Sequence, residues 1–465
     1  MEDGLTAGAA KVDITPAVGT ELCGHYVPDR RSVGIHSNLY AKTLVFDDGK
    51  NVAALVACDL AGITSKIATS TRARITELTG IDGKNVMISC THTHSGPGSM
   101  PWLMVGKSDE SYQNQLEKKI AGAVYLATRS MKKVSIGLGV GSMNISASRR
   151  VKWPDGTIRY DWLDPNVPPI EPFDNELCVL TLREMNRKAF GVVVNAACHT
   201  ATMAGEVLNL ISSDFPGVAT TLIERAKGEG AIAMFFNGAY GDTHPRKDLI
   251  PGYNYYSDIK GDELTTTLGT ILGASALKIS ETTPAYSDVS VQVLSGIIKA
   301  PLERLPPKED LQDGAKLDQM LDQVMIPQRS RIPWRKIMSD WYEHLLELYE
   351  NGTHFEAYED LEVQVIRLGD TYIVGLPGEV FSQIGLEIKA QARKLGLGKV
   401  LVFALSNGNP GYIPAEDDYS VAPIGKRGYE LERSYMFYGR PLVGKGTSRL
   451  MIEAAIRLIS ILAAR

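Results

Sequence analysis

The chain has 465 residues, of which 44% are hydrophobic and 22% are charged, and its formal net charge is −5. This is the composition of a folded globular protein, and it excludes a disordered, collagen-like or disulfide-scaffold chain. The charges are mixed along the sequence without long runs of one sign, which argues against a nucleic-acid partner. The five cysteines show neither paired nor regular spacing, so they are predicted to be buried free thiols.

The two ends of the sequence show no export or membrane signal. The N-terminal residues lack the positive and apolar regions of a secretory signal, which predicts a cytoplasmic protein unless a signal has been removed. The most apolar late stretch, Leu450 to Ala464, is interrupted by Glu453 and Arg457. It falls short of the roughly 20 apolar residues that a membrane span needs, so it is predicted to be a packed terminal helix.

Five short apolar or β-branched runs each end in polar residues at their carboxyl end. These runs are residues 86–90 before His92, 191–197 before His199, 231–236 before Asn237, 372–376 before Glu379 and 400–405 before Asn407. Ligands of open α/β sheets bind outside the carboxyl ends of the strands, so the pattern predicts an active site assembled from several strand ends. Helical spacing follows in residues 217–227, 381–394 and 448–464. The predicted fold class is α/β, or α+β, with mixed β-sheets flanked by helices.

Residues 301–358 differ in character, because they are rich in Asp, Glu, Lys and Leu at helical spacing. They are predicted to form a helical insertion between strand units of one catalytic domain that spans residues 1–465. Whether this insertion narrows a substrate pocket is left open by the sequence.

The sharpest motif is the pair of histidines in Thr91-His92-Thr93-His94, at the end of a predicted strand. Residues at i and i+2 of an extended segment point to the same side, so both imidazoles are predicted to face one site. Neutral imidazole is the commonest side-chain metal ligand, and the motif therefore indicates metal binding or catalysis. A pair of hydrogen-bonded loop histidines is the alternative interpretation.

A third histidine and a carboxylate follow two other strands. His199 ends one of them, and Glu379 stands directly after a Pro-Gly pair at the start of a helix. A catalytic zinc takes about three protein ligands, so His92, His199 and Glu379 would make a zinc site with an open position for water. The alternatives are a structural strand-end histidine and a carboxylate that stabilises the first helical turn. Asp242 and His244 share a tight turn, in which a turn-stabilising role for Asp242 is at least as well supported as a functional one.

Other catalytic classes are disfavoured by the spacing of their residues. Cys198 and His199 are adjacent on a strand and point to opposite faces, so they cannot form a thiolate–imidazolium pair. The GxSxG elbow of serine hydrolases is absent around Ser95. Neither of the two glycine-rich nucleotide-binding motifs occurs in a strand–turn–helix context.

At these residues the sequence resembles the catalytic domain of the neutral/alkaline, non-lysosomal ceramidase family. The matching segments lie between about residues 6 and 445 in the family's order: 7–16, 34–37, 39–42, 91–97, 211–214, 241–242, 377–379, 406–407, 411–412, 429–430 and 438–439. The combination of order and spacing makes the resemblance specific.

The resemblance implies a zinc-dependent hydrolase of an amide bond, with one zinc ion per chain. The implied metal ligands are His92, His199, Glu379 and Tyr412. The resemblance further implies that His94 is the catalytic acid and base. It also implies that Tyr429 and Arg149 bind the substrate oxygens. Arg150 is a close second choice to Arg149.

Three departures from the family's pattern bear on the substrate. His244 stands where the family has serine, Ile413-Pro414 stands where it has two threonines, and the carboxyl-terminal β-sandwich of ceramidases is not expected in this chain. A smaller and more soluble amide or ester than ceramide is therefore predicted. The alternatives are an esterase or lactonase on the same site, an amidohydrolase barrel, and a ceramidase-like binding protein without catalysis.

Overall fold

The computed structural model of the chain describes residues 4–160, 173–186, 188–250, 260–322, 333–422 and 425–465. Its strands are β1 (Thr6–Asp13), β2 (Gly34–Ile35), β3 (Tyr40–Asp47), β4 (Val52–Cys58), β5 (Val86–Cys90), β6 (Lys132–Ser142), β7 (Ser146–Ser148), β8 (Arg150–Lys152), β9 (Ile158–Tyr160), β10 (Glu176–Glu184), β11 (Ala189–Ala196), β12 (Leu210–Ile211), β13 (Ile232–Asn237), β14 (Thr243–Pro245), β15 (Val291–Pro301), β16 (Tyr358–Leu368), β17 (Thr371–Gly375), β18 (Glu379–Val380), β19 (Val400–Phe403) and β20 (Tyr412–Ile413). Its α-helices are α1 (Ser65–Thr79), α2 (Glu110–Thr128), α3 (Asp214–Lys227), α4 (Gly261–Thr282), α5 (Lys308–Gln312), α6 (Gly314–Asp322), α7 (Trp334–Glu350), α8 (Ser382–Lys394), α9 (Tyr429–Glu432), α10 (Ser434–Phe437) and α11 (Thr447–Ala463). The predicted mixed α/β class is confirmed.

The larger sheet has eight strands in the order β13-β11-β10-β6-β1-β3-β4-β5. The pairs β4–β5 and β11–β13 are parallel, and the other neighbours are antiparallel. Strands β1 and β6 pair only through Thr6–Lys133 and Ala7–Lys132, so the two halves of the sheet join at a narrow contact. Strand β13 in turn contacts β3, β4 and β5. The carboxyl ends of β5 and β13 therefore lie close together, although they are at opposite ends of the strand order.

The smaller sheet has the order β15-β16-β17-β19, with only β17 and β19 parallel. It shares a buried core with the larger sheet, in which the rings of Phe236 and Phe403 stack at 4.2 Å. Burying an aromatic or large aliphatic side chain of this kind stabilises the fold by about 1.5–3 kcal/mol. The shared core fixes the position of the smaller sheet against the ends of β5 and β13.

Helices pack on both sheets. Helix α2 packs on β1 and β3, α3 packs on β13, α4 packs on β6 and β10, and α11 packs on β15 and β16. Helix α11 buries Met451, Ala455, Leu458 and Leu462, which are three or four residues apart and form one apolar face. The apolar late stretch is thus a packed helix, as predicted. Across the described part of the chain, no helix combines the length and apolarity needed to span a membrane.

The predicted runs before the polar strand ends are the strands β5, β11, β13, β17 and β19, and the predicted helices are α3, α8 and α11. The five cysteines are buried and free, as predicted. Burial also raises the pKa of the Cys198 thiol, which makes it a poor nucleophile. The described strands form open sheets, so a closed amidohydrolase barrel is not the fold of this chain.

Helices α5, α6 and α7 all lie in residues 301–358, between strands that pair from Val291–Leu368 to Pro301–Tyr358. This segment therefore connects the ends of the neighbouring strands β15 and β16. Helix α7 buries Trp334, Ile337 and Trp341 in a cluster that also contains Phe437 of α10. Residues 323–332 lie outside the described part, and the division of the chain into domains stays a prediction.

Candidate metal centre

His92 and His94 follow β5, which ends at Cys90. The backbone at His92 has a φ of 70°, a left-handed conformation that costs a non-glycine residue about 1–3 kcal/mol. The expected extended backbone is therefore wrong at His92, although both imidazoles do face one site, as predicted. Their Nε2 atoms nevertheless lie 3.1 Å apart, because His92 turns inward and donates from Nδ1 to the Ala61 carbonyl at 2.7 Å.

His199 follows β11 and completes a triangle of imidazoles. Its Nε2 lies 3.2 Å from the Nε2 atoms of both His92 and His94. Asn237 fixes the preceding residue, since its side chain accepts from the Cys198 amide at 3.1 Å and donates to the Cys198 carbonyl at 2.9 Å. Two ligands at 2.0–2.1 Å from a tetrahedral zinc ion would lie roughly 3.3 Å apart. The three nitrogens thus have the spacing of metal ligands.

Glu379 brings a carboxylate to this triangle from β18, which follows β17 of the smaller sheet. Its Oε2 lies 3.2 Å from His92 Nε2 and 3.9 Å from His199 Nε2, and it is buried without a hydrogen-bond partner among the described residues. Its Oε1 accepts from the Tyr438 hydroxyl. A buried carboxylate oxygen is costly unless a cation or donor faces it, so this oxygen fits a metal ligand.

Tyr412 reaches the site through the pairing of β18 with β20, in which Glu379 lies beside Tyr412. A Cβ atom at Gly378 would lie 2.7 Å from the Gly411 carbonyl oxygen, so this approach needs a glycine, and its φ of 84° also favours one. The Tyr412 hydroxyl accepts from Arg149 at 2.9 Å. Burial raises the pKa of Tyr412, so the phenol is neutral in this environment.

Arg149, rather than Arg150, points to the histidines. Its guanidinium lies 3.2 Å from His199 Nδ1, donates from Nε to Glu430 at 2.7 Å, and stands 6.0 Å from the centre of the Tyr429 ring. Arg150 points to Asp418 and the Phe381 ring instead. The structure therefore brings Arg149 and Tyr429 to the site.

Burial lowers the pKa of His94 and His199 well below the usual histidine value. Neutral imidazole is the form that binds metal ions. Among the described residues, His92, His94 and His199 form one group of ligand atoms that lie within 4.8 Å of one another. With Glu379 they make a donor set of nitrogen and carboxylate oxygen, which suits zinc. His94 is part of the triangle, so geometry alone allows it to be a ligand or a proton carrier.

Four residues near the site were not singled out by the sequence motifs. The ring of His25 lies 5.0 Å from that of His94, and Tyr240 lies 4.9 Å from His92. Glu430 and Tyr438 contact Arg149 and Glu379, respectively. Glu430 and Tyr438 belong to segments that match the family, which was an available signal. His25 had none, because a lone loop histidine has no distinguishing pattern.

Asp242 does not reach the histidines. Its Oδ1 accepts from both the backbone amide and the hydroxyl of Ser382, each at 2.8 Å, at the start of α8. The structure thus supports the structural role for Asp242. The ring of His244, in contrast, stacks on that of His199 with the centroids 6.5 Å apart.

The fold and the site define a mixed α/β protein with a buried histidine and carboxylate cluster, fitted to a metal ion, at its strand ends. The family model of the neutral/alkaline non-lysosomal ceramidases, N-terminal part, matches residues 5–249. This chain belongs to that family.

Similar proteins agree with this assignment over most of the chain. The neutral ceramidase of Pseudomonas aeruginosa is 23% identical over 97% of this chain and 72% of its own length. That of Mycobacterium tuberculosis is 22% identical over 89% of this chain and 72% of its own length. The crystal structure of the Pseudomonas aeruginosa enzyme superposes with a TM-score of 0.70 at 19% identity, over 99% of this chain and 75% of that chain. At this identity the structural likeness shows the fold.

Proposed function

We propose that the protein is a zinc-dependent hydrolase that cleaves the amide bond of an N-acyl substrate. The observation that carries the proposal is the convergence of three imidazole Nε2 atoms, each within 3.2 Å of the others, on a buried carboxylate oxygen. Membership of a ceramidase family supports an amide as the bond that is cleaved. An ester or lactone is the second candidate, because its carbonyl would develop the same negative charge in this site.

His92, His199, Glu379 and Tyr412 would hold the zinc ion. When bound, zinc supplies Lewis-acid polarisation of a carbonyl and lowers the pKa of water. The first three residues already surround one point, as the distances between their ligand atoms show. Tyr412 is included on the family resemblance, and its hydroxyl is within reach of Arg149.

His94 is assigned the proton transfer. Its Nε2 faces the other two histidines, so this nitrogen would accept a proton from water and pass it to the leaving nitrogen. Because burial lowers the pKa of His94, the protonated ring would release its proton readily. Its backbone is held by a bond from its amide to the Thr200 carbonyl at 3.1 Å and by Arg30 on its own carbonyl at 2.7 Å.

Arg149 and Tyr429 are assigned to the carbonyl oxygen. Both offer hydrogen-bond donors, the Arg149 guanidinium lies 6.0 Å from the centre of the Tyr429 ring, and a buried guanidinium is a strong donor to a developing negative charge. Glu430 holds Arg149 in this direction. The substrate is proposed to be smaller and more soluble than ceramide, because the bulky His244 stands beside the site where the family has a small hydroxyl residue.

The proposal is tested by the metal content of the purified protein and by hydrolysis of amides from acetyl to palmitoyl, with the matching esters. We expect about one zinc ion per chain, lost in His92→Ala and in His199→Ala. His354→Ala is the control, because this histidine is exposed and lies in the helical insertion. A metal content that neither substitution changes would contradict the ligand assignment. A folded protein without metal or hydrolysis would favour a binding protein.

A further inference from the structure

The loop before Arg30 is fitted against the catalytic histidine. Gly24 has a φ of 92°, and a Cβ atom there would lie 2.5 Å from His94 Cγ, so only glycine allows this approach. The next residue, His25, packs edge-on against His94 with the ring centres 5.0 Å apart. The Nε2 atom of His25 is buried and has no hydrogen-bond partner among the described residues. The loop therefore places an unused polar nitrogen beside the metal centre.

Two further basic groups approach the same space from another element. His244 stacks on His199 with an angle of 5° between the rings, and Lys247 follows it in a single helical turn at Lys247–Leu249. His25 contacts His94 and His244 contacts His199, and the Nε2 atoms of these two contacted histidines lie 3.2 Å apart. His25 and His244 therefore border the same histidine triangle, and Lys247 begins the turn that follows His244. Burial lowers the pKa of Lys247 to about 8, so the ammonium form still prevails at neutral pH.

Arg30 adds positive charge behind this region. It is 4% exposed, and its hydrogen bonds all go to neutral acceptors: the carbonyls of Cys23, His94 and Leu208 and the Ser95 hydroxyl. No carboxylate among the described residues pairs with it, whereas Arg149 pairs with Glu430. A buried charge without an opposite charge is unfavourable, so an anion nearby would stabilise it.

We infer that His25, His244 and Lys247 bind a carboxylate, and that the substrate is an amide with a carboxylate close to the bond that is cleaved. This inference rests on the proposed function and narrows its substrate class. A carboxylate accepts hydrogen bonds from an imidazole N–H and an ammonium group, and such charge-assisted bonds are stronger than neutral ones. The carboxylate can belong to the amine half, as in an N-acyl amino acid, or to the acyl half, as in a succinamate.

Binding is measured first, by calorimetry on the purified metal-loaded protein. The probes are 4-oxononanoate, a ketone that mimics N-hexanoylglycine but cannot be hydrolysed, and its neutral amide. We expect the carboxylate to bind about tenfold more tightly than the amide, which is the effect of one charge-assisted hydrogen bond. Initial rates of N-hexanoylglycine and of N-hexylsuccinamate, each against its neutral amide, then show which half carries the carboxylate.

The variants Lys247→Gln and His25→Leu should each remove most of this preference. Arg246→Gln is the matched control, because it removes the same charge at the residue before Lys247. The Arg246 side chain pairs with Asp248 at the surface. Circular dichroism shows whether each variant is folded. If His25→Leu is not folded, the result for Lys247→Gln alone tests the inference. A tenfold preference lost in these variants and kept in Arg246→Gln supports the inference.

Two results would overturn the inference: equal binding of both probes, or a preference that both variants retain, since the carboxylate would then bind elsewhere. The outcomes for the proposed function are separate. If no amide is hydrolysed while the binding preference persists, the carboxylate site stands and the amide hydrolase does not. If amides are hydrolysed without regard to charge and neither probe binds better, the carboxylate site is wrong and the hydrolase stands.

Discussion

Gly24 and Gly19 have the same left-handed backbone and different surroundings. Their φ angles are 92° and 97°, but a Cβ atom at Gly24 would lie 2.5 Å from His94 Cγ, while at Gly19 it would have no atom within 4 Å. Substitution by alanine would thus strain the backbone at both positions. Displacement of His94 would occur only at Gly24.

We expect Gly24→Ala to lower kcat/KM by at least about tenfold, because small displacements of a catalytic group have large effects on rate. Gly19→Ala should cost only stability, by about 1–2 kcal/mol. Steady-state kinetics and thermal unfolding of both variants separate the two effects. Equal loss of activity in both would show that His94 does not depend on its contact with this loop.

The sequence predicted much of the site at the level of residue types. His92, His199 and Glu379 follow separate strands, and their position at carboxyl ends was enough to predict that they meet. The conformation of His92 was not predictable, since a φ of 70° arises from its tertiary contacts with Leu60 and Ala61. The contact of His25 with His94 was missed for the same reason.

At the scale of elements, the short helix α9 carries two residues that lie beside the proposed site. Tyr429 faces Tyr412 at 6.0 Å between ring centres, and the adjacent Glu430 binds Arg149 at 2.7 Å and lies 3.7 Å from Arg150. Glu430 is therefore a positioning residue, because it compensates the charge of the arginine pair and directs Arg149.

We expect Glu430→Gln to lower kcat by at least about tenfold with little change in KM, because Arg149 would lose its charged partner and its direction. Zinc content should stay unchanged, since Glu430 is not a proposed ligand. Glu432→Gln is the control, as it lies on the same helix and pairs with Arg427. A kcat equal to that of wild type would contradict the positioning role.

Helix α7 connects the helical insertion to the site through Trp334. The ring of Trp334 lies 5.9 Å from that of Tyr429 and 6.0 Å from that of Phe437. Trp341, two turns along the same helix, is equally buried and contacts Tyr435. The insertion thus forms part of the wall behind a proposed catalytic tyrosine.

We expect Trp334→Leu to change the ratio of kcat/KM between long and short acyl amides, because it enlarges the space behind Tyr429. Trp341→Leu should lower stability by about 1–3 kcal/mol and leave that ratio unchanged. The acyl-chain series measured on both variants tests this expectation. The same ratio in both variants and in wild type would exclude the insertion from substrate selection.

The elements themselves were predicted better than their arrangement. Apolar runs and helical periodicity are local properties, and they identified β5, β11, β13, β17 and β19 with α3, α8 and α11. The order of strands in a sheet depends on pairings between distant segments, such as β1 with β6, which local patterns do not encode. The meeting of β13 with β3, β4 and β5 could therefore not be read from the sequence.

At the scale of the whole molecule, the site lies where the two sheets meet. His92 and His199 come from the larger sheet, and Glu379 follows β17 of the smaller sheet. The sheets are connected near the site by a hydrogen bond from the Ala404 amide to the Asn237 carbonyl at 2.9 Å. The spacing of the proposed metal ligands therefore depends on how the sheets dock.

Asp242 is a second connection between the sheets, and it makes the docking sensitive to pH. It follows β13 and accepts two hydrogen bonds from Ser382 at the start of α8, which packs on β19. Burial raises the pKa of Asp242 to about 6, against about 3.9 in an unfolded chain. The folded state thus binds more protons between these values, so the stability that protonation contributes is present below about pH 4 and lost as the pH rises through about 6.

Asp242→Asn removes this titration while it keeps an oxygen that can accept from Ser382. A shift of about two pKa units corresponds to about 3 kcal/mol. As the pH rises from about 4 to about 7, the free energy of unfolding of the variant should therefore increase relative to that of wild type by up to about 3 kcal/mol. Urea unfolding across this range measures the difference. Ser382→Ala keeps Asp242 but removes the Ser382 hydroxyl, which lowers the pKa of Asp242. In this variant the pH-dependent decrease in the free energy of unfolding should therefore extend to higher pH. A difference between Asp242→Asn and wild type that is constant with pH would show that Asp242 is ionised throughout, and that its hydrogen bonds with Ser382 outweigh its burial.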